Sequence, residues 1–183
     1  MPSAKLWTVL TLAILMCGCV PSLQPFYTDK DLTFDSNLLG VWGEPEGTTW
    51  AFAKSGDHSY LLTHTEDGAS GKLAAHLFKV GEQLYLDTYP EDPGIKSGFY
   101  TAHLLGTHHV WKFQLAGDSL RLATLDHDKI KPMIEQKKLV IAHELIANDL
   151  IFTASTRDLQ AFLANYAQAA DVFGRWTELK RQK

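Results

Sequence analysis

The chain has 183 residues, of which 45% are hydrophobic and 21% are charged, and its formal net charge is −4 at pH 7. This length and composition are typical of a single globular domain with a hydrophobic core. The weak negative charge argues against nucleic acid as a partner, because a nucleic-acid backbone calls for a clustered basic face.

The first apolar segment has the features of a signal peptide. Lys5 supplies a positive charge before an apolar stretch of 11 residues, Leu6–Met16. A helix that crosses a bilayer needs about 20 apolar residues, so this stretch is too short to be one. We therefore predict that residues 1–18 are a cleaved signal peptide.

The end of this segment resembles the lipobox of bacterial lipoproteins, in which an aliphatic residue and two small residues precede a cysteine. Met16, Cys17 and Gly18 precede Cys19, and Gly18 is the small residue expected beside the cut. The resemblance implies that Cys19 is the lipidated N-terminus of the mature chain and that Cys17 is discarded. The alternative is an ordinary secretory signal in which both cysteines are incidental. A metal site built on thiolates is not expected, because the chain has no further cysteine.

Lipidation implies a location as well as a membrane partner. Each buried methylene contributes about 0.8 kcal/mol, and more than one acyl chain gives stable anchoring. Val20 follows the cysteine, where the proteobacterial sorting pattern has Asp for retention in the inner membrane. The resemblance therefore implies a protein of the bacterial cell envelope, anchored in the outer membrane and facing the periplasm.

Residues 19–34 are predicted to be a lipid-anchored tether, since Pro21 and Pro25 favour extended backbone. The opening CVPSLQPFYTDKD also resembles a group of uncharacterised bacterial lipoproteins that begin CVPSL-x-P-x-Y, and this likeness implies no activity. Residues 35–183 form the predicted domain, a single β-rich unit with a C-terminal helix.

Beyond Gly40 the sequence predicts short antiparallel strands. The segments with strand patterns are 48–54, 59–67, 72–80, 82–89, 110–125 and 138–155. Turn signals separate them at Asp67-Gly68, at Gly81, at 116–118 and at Asn148-Asp149. Their spacing favours a β-barrel or a β-sandwich.

Two helices are predicted among these strands. The first, over Asp126–Gln136, is short and is weakened by Pro132. The second begins near Ser155, where Ser155 and Asp158 resemble a capping box. Its apolar stripe is formed by Leu159, Phe162, Leu163 and Tyr166. We expect this stripe to pack on the domain's own sheet rather than on a membrane.

The segment LLGVW, residues 38–42, resembles the Gly-x-Trp signature of lipocalins through Gly40 and Trp42. In that family the motif opens the first strand after a short helical turn, and its tryptophan packs across the closed end of the barrel. The resemblance implies structural roles for Gly40 and Trp42. It also implies a mainly β fold, an antiparallel up-and-down β-barrel of eight to ten strands with a C-terminal α-helix. Other β-rich architectures remain as alternatives.

A barrel of this size either has a solid core or holds one small ligand. The candidate cavity-lining residues are the aromatics Trp50, Phe52, Tyr60, Tyr85, Trp111 and Phe113. Such residues more often simply fill the interior without a ligand.

The histidines are the other candidates for a site. His108 and His109 are expected to point to opposite faces of one strand, which disfavours chelation of one ion. His64 and His76 could meet across neighbouring strands, but no further ligand accompanies them. We therefore predict no metal and no cofactor. The sequence also lacks the common hydrolase, metalloprotease, P-loop and dinucleotide motifs, and we expect no enzymatic activity.

Two functions follow from these observations. The first is a membrane-anchored lipoprotein whose barrel binds a small hydrophobic molecule or lipid. The alternative is a structural or protein-interaction lipoprotein of the envelope, with a filled core and no ligand. An enzyme with scattered catalytic residues would instead need a cleft with several perturbed titratable groups.

Overall fold

The computed structural model describes residues 18–44, 47–166 and 172–183. The predicted signal peptide, apart from Gly18, lies outside the described residues. A short 3₁₀ turn at Ser36–Leu38 precedes the first barrel strand, as predicted, and Asp35 caps it by accepting a hydrogen bond from the amide of Asn37.

Eight antiparallel strands form a closed, lipocalin-like barrel, which confirms the predicted fold class. The barrel strands are β2 (Gly40–Gly43), β3 (Thr49–Lys54), β4 (Tyr60–Glu66), β5 (Ala69–Val80), β6 (Gln83–Pro90), β7 (His109–Ala116), β8 (Ser119–Thr124) and β11 (Thr177–Arg181). Strands β2 to β8 follow one another as neighbours, and β11 lies between β8 and β2. Because this circle is complete, the barrel has no long exposed strand edge.

The remaining elements lie outside this circle. They are β1 (Leu32–Thr33), α1 (Gly98–Thr101), α2 (His127–Glu135), β9 (His143–Ile146), β10 (Asp149–Phe152) and α3 (Thr156–Tyr166). Strand β1 pairs with the end of β5, while β9 and β10 form a separate hairpin.

The tight turns have the backbone that the sequence predicts. Asp67 and Gly68 both have positive φ, at 51° and 78°, as the two central residues of a type I′ hairpin turn require. Gly117 and the pair Ala147-Asn148 also have positive φ. These turns fix the register of β4–β5, β7–β8 and β9–β10.

The alternation of side chains along the strands produces two hydrophobic cores. The inner core fills the barrel and contains Trp42, Leu62, Leu77, Leu86 and Leu179. The outer core lies against the other face of the barrel wall, beneath α2, α3, the β9–β10 hairpin and the N-terminal segment. Phe78 and Tyr85 belong to this outer core, whereas their neighbours Leu77 and Leu86 face inward.

Helix α3 packs on the domain, as expected. Ser155 and Asp158 form the predicted cap, since the Asp158 amide donates to Ser155 Oγ at 3.3 Å and the Ser155 hydroxyl donates to Asp158 at 2.7 Å. Leu159, Phe162 and Leu163 are buried in the outer core. The stripe therefore stabilises the tertiary fold and does not form a free amphipathic surface.

The segment predicted as a tether is extended, but it packs on the domain. Val20, Ser22 and Phe26 are buried. Ser22 exchanges backbone hydrogen bonds with His108 at 2.9 and 2.8 Å, and the amide of Leu23 donates to the carbonyl of Phe152. The difference from the expected spacer arises because Val20 and Phe26 are covered by the outer core and the backbone of the segment bonds to the domain.

Strand β11 was not predicted. Its sequence, TELKR, has one buried side chain, Leu179, among polar residues. It nevertheless closes the barrel, because it pairs with β8 on one side and β2 on the other. The predicted helix α3 is thus followed by one further strand.

Candidate functional site

The two ends of the barrel differ in their connections. At the first, which we call the turn end, short turns join β3 to β4, β5 to β6 and β7 to β8. At the other, which we call the loop end, residues 91–108 connect β6 to β7 as a long loop that contains α1. The interior therefore has two halves, one at each end, with different surroundings.

Arg181 closes the turn end. Its guanidinium lies over the ring of Trp42 at 4.2 Å from the centroid, and its Nη1 donates to the carbonyl of Leu39 at 2.9 Å. Trp42 is fully buried and donates its indole N–H to the carbonyl of Leu38 at 2.8 Å. A charged group stacked on an aromatic face and bonded to backbone carbonyls holds this end shut.

Gly40 is needed where this closure is tightest. Its φ is +120°, and a Cβ at this position would lie 3.0 Å from Arg181 Nη1. A side chain here would adopt strained backbone and crowd the guanidinium. The Gly-x-Trp pair thus lies next to the side chain that closes the barrel.

The six aromatic residues predicted to line a cavity do not share one space. Five face the barrel interior: Trp50, Phe52, Tyr60, Phe113 and Trp111. Tyr85 belongs instead to the outer core, stacked on Phe78 at 5.6 Å between ring centroids. Side chains alternate along β6, so Leu86 rather than Tyr85 faces inward; Tyr85 is thus not a candidate for lining the barrel.

Tyr60 and Phe52 fill the half of the interior near the turn end. The Tyr60 hydroxyl accepts from the amide of Asp35 at 2.7 Å and donates to its carbonyl at 3.1 Å. Burial raises the pKa of Tyr60 above its ordinary value, so the ring stays neutral. With its hydroxyl bonded, Tyr60 offers no unused polar group to a ligand.

Trp50 and Trp111 form the interior half near the loop end. Their rings meet edge-to-face with centroids 5.2 Å apart, and His64 packs against Trp50 at 4.9 Å. Trp111 donates its indole N–H to Thr88 Oγ1 at 3.1 Å. Trp50 is only 6% exposed, and its indole N–H has no hydrogen-bond acceptor among the described residues.

An unpaired buried N–H costs free energy unless something accepts from it. Indole nitrogen is a donor only, so the missing partner must be an oxygen or another acceptor. His109, whose pKa burial lowers, is favoured in its neutral form. The loop-end interior therefore combines aromatic faces with one indole donor that no described residue accepts from.

Four clefts in the described part of the chain lie at its surface. Trp50, Phe52, Tyr60, Trp111 and Phe113 line none of these four clefts. The interior aromatics pack against one another, since Trp50 contacts the rings of Phe52 and Trp111, and Phe52 contacts the ring of Tyr60.

The histidines are dispersed. His64 contacts Trp50 inside the barrel, whereas His76 lies outside and stacks on Tyr27. His103 is held in the loop by the carbonyl of Phe99. Across residues 18–44, 47–166 and 172–183, no three His, Cys, Asp or Glu side chains form a group that could hold a metal ion.

Sequence reasoning missed a buried carboxylate on the outside of the barrel wall. Asp87 is fully buried, lies 2.8 Å from His108 Nδ1, and accepts from the amide of Phe26 at 3.3 Å. The His108 ring packs against Tyr89 at 4.6 Å. This pair fastens the N-terminal segment to the barrel, and its only sequence signal is an acidic residue in the apolar run of β6.

No protein-family model, no curated protein and no solved structure matches the chain significantly. Among the helices that the structure describes, none is both long and apolar enough to cross a membrane.

Proposed function

We propose that the protein is a membrane-anchored lipoprotein whose barrel binds a small, mainly apolar molecule or lipid at its loop end. The observation that carries the binding half of this proposal is the unpaired indole N–H of Trp50, buried among aromatic rings. The anchoring half rests on the lipobox-like sequence that ends at Cys19.

The position of Cys19 is compatible with an anchor. It is partly exposed and forms a backbone bridge with Asp126, at the end of β8 that points toward the loop end. The chain after it is packed, as Val20 and Ser22 are buried. An acyl chain on Cys19 would therefore emerge directly beside the domain.

The chemistry of the loop-end interior defines the class of ligand. Aromatic faces favour an apolar body, and the single unused donor of Trp50 favours one acceptor oxygen, such as a carbonyl or ester. The rings that pack against Trp50 are those of Phe52, His64 and Trp111. A neutral molecule with an acyl chain fits these requirements.

The second candidate is a filled barrel that acts through its surface as a structural or protein-interaction module of the envelope. The observation that favours it is the near-complete burial of Phe52, Tyr60 and Phe113, at 1–3% exposure. Such packing leaves the turn-end half without room for a ligand. In this case cross-linking in intact cells should capture a protein partner.

Native mass spectrometry after gentle purification tests the binding proposal. We expect a co-purifying neutral molecule on the wild-type chain. Trp50→Phe should reduce its retention about tenfold, since the loss of one buried hydrogen bond costs about 1–1.5 kcal/mol. Trp176→Phe is the matched control, because Trp176 lies outside the barrel beneath Arg121. A ligand-free wild-type protein that also fails to retain added lipid would refute binding.

The anchor requires its own test. Mass analysis of the mature N-terminus should find an acylated Cys19, and Cys19→Ser should release the protein from the membrane fraction. An unmodified sulfur at residue 19, or a Cys19→Ser protein that still sediments with membranes through its N-terminus, would argue against lipidation.

A further inference from the structure

The loop end carries an unusual concentration of exposed apolar side chains. Within the 91–108 loop, Phe99 is 83% exposed and Leu105 74% exposed, and Tyr100 and Leu104 are also exposed. At the tip of the β9–β10 hairpin, Leu145 is 52% and Ile146 60% exposed. We call these two segments together the apolar rim.

Both parts of the rim lie beside the chain that begins at Cys19. Ser22 bridges His108, at the end of the long loop, and Phe152, at the base of the β9–β10 hairpin. The hairpin tip is linked through the carbonyl of Asn148 to His127 at 3.1 Å, and the amide of His127 donates to the carbonyl of Gly18 at 2.9 Å. The rim and the anchor point thus occupy one end of the molecule.

One turn of the loop, from Tyr100 to Leu104, presents apolar side chains while its own amides are hydrogen-bonded. Ser97 caps α1 by accepting from the amide of Tyr100, and successive amides from Thr101 to Leu104 donate to carbonyls within the same turn. Unpaired amides are costly where water is scarce. A locally satisfied turn with Phe99 projecting into solvent therefore suits contact with an apolar medium.

The charge of the rim narrows the choice of partner. The 91–108 loop contains Glu91, Asp92 and Lys96, and Glu144 and Asp149 flank the tip of the β9–β10 hairpin. This balance provides no basic patch for nucleic acid or for electrostatic attraction to anionic headgroups. Contact through this surface has to be driven by burial of apolar area.

We propose that the apolar rim docks on the lipid bilayer in which Cys19 is anchored, so that the loop end of the barrel faces the membrane. This inference rests on the proposed lipid anchor. The bilayer is the occupant because the packed segment after Cys19 leaves no slack between lipid and domain. Docking would place the Trp50–Trp111 interior next to the lipid from which an apolar ligand could enter.

Site-specific fluorescence tests the orientation. Lipidation blocks the only cysteine of the mature chain, so an introduced cysteine is the sole reactive thiol. We would label Leu105→Cys and Leu145→Cys with an environment-sensitive dye on the full lipidated protein, in vesicles of phosphatidylethanolamine and phosphatidylglycerol containing brominated phosphatidylcholine. Asp57→Cys, exposed in the β3–β4 turn at the opposite end, is the control.

We expect blue-shifted emission and bromine quenching at both rim positions, and neither at position 57. Equal quenching at all three positions, or none at either rim position, overturns the proposal. A blue shift at the rim without quenching points to contact with a second copy of the chain and also overturns it.

The rate at which the lipidated protein transfers from one vesicle to another supplies a second measurement. The double variant Phe99→Ser, Leu105→Ser should exchange at least tenfold faster than the wild type, whereas Val140→Ser, which alters an apolar side chain 91% exposed outside the rim, should not. Equal exchange of all three proteins contradicts docking.

These results separate the two proposals. If mass analysis shows that Cys19 is unmodified, the anchor fails, and the same dye measurement in a Cys19→Ser background still reports whether the rim enters added vesicles. If Cys19 is acylated and the rim is not quenched, the docking inference fails alone.

Discussion

Replacement of Arg181 by alanine should destabilise the protein more than any other substitution of an exposed or partly exposed cation. The guanidinium stacks on Trp42 and donates to two backbone carbonyls, those of Leu39 and Asn37. It also bonds Asp118, but that carboxylate is 82% exposed. Exposed ion pairs contribute little, so Asp118 adds nearly nothing.

The magnitude follows from these contacts. A cation over an aromatic face contributes about 1 kcal/mol, and each charge-assisted hydrogen bond about 1.5 kcal/mol. Because the Arg181 side chain is 30% exposed, water replaces part of the loss. We expect Arg181→Ala to lower the free energy of unfolding by about 3 kcal/mol, and Tm by about 6–12 °C for a domain of this size.

Urea unfolding followed by tryptophan fluorescence and far-UV circular dichroism measures this change. Arg121→Ala is the matched control, because Arg121 stacks on Trp176 at 4.8 Å but is exposed, and its hydrogen bond goes to the side chain of Gln114 rather than to the backbone. Its expected loss is about 0.5 kcal/mol. Equal effects of the two substitutions would show that closure of the turn end does not depend on Arg181.

Two further predictions concern the outer core. Tyr85→Phe should leave the free energy of unfolding in urea unchanged or raise it by up to about 1 kcal/mol, because the buried hydroxyl has no partner among the described residues. A clear loss of stability would reveal an unrecognised hydrogen-bond acceptor. Burial lowers the pKa of His76 below its ordinary value, and the charge of Asp87 opposes this in part. As the pH drops, the histidine of the unfolded chain therefore takes up a proton before that of the folded protein. The free energy of unfolding should then fall as the pH drops through about 6.5. His76→Gln should flatten that decline, and an unchanged pH profile would contradict this assignment.

The strand pattern and the turns could be read from the sequence because they are local. Period-2 alternation identified the strands from β3 to β8, and Asp67-Gly68 specified a turn whose two residues need positive φ. The cap at Ser155 and the stripe through Leu159 likewise placed α3. Each of these signals depends on residues within one or two turns of each other.

The site was less accessible from sequence. Alternation assigned Tyr85 and Leu86 to opposite faces of β6, but it could not say which face lies inside the barrel. The buried pair of Asp87 and His108 joins residues 21 positions apart on two strands. The acidic residue in the apolar run of β6 is its only local signal, and neither local sequence shows that the two residues meet.

The sequence by itself thus determined the local elements, the mainly β character and the signal-like N-terminus, because these depend on composition and short-range periodicity. Only the tertiary structure decided that β11 closes the barrel, through pairs such as Lys180 with Gly43. It alone brought the long loop, the hairpin tip and Cys19 to one end. Closure and convergence depend on contacts between distant segments, whose gain comes from burying a shared core rather than from any segment's own preference.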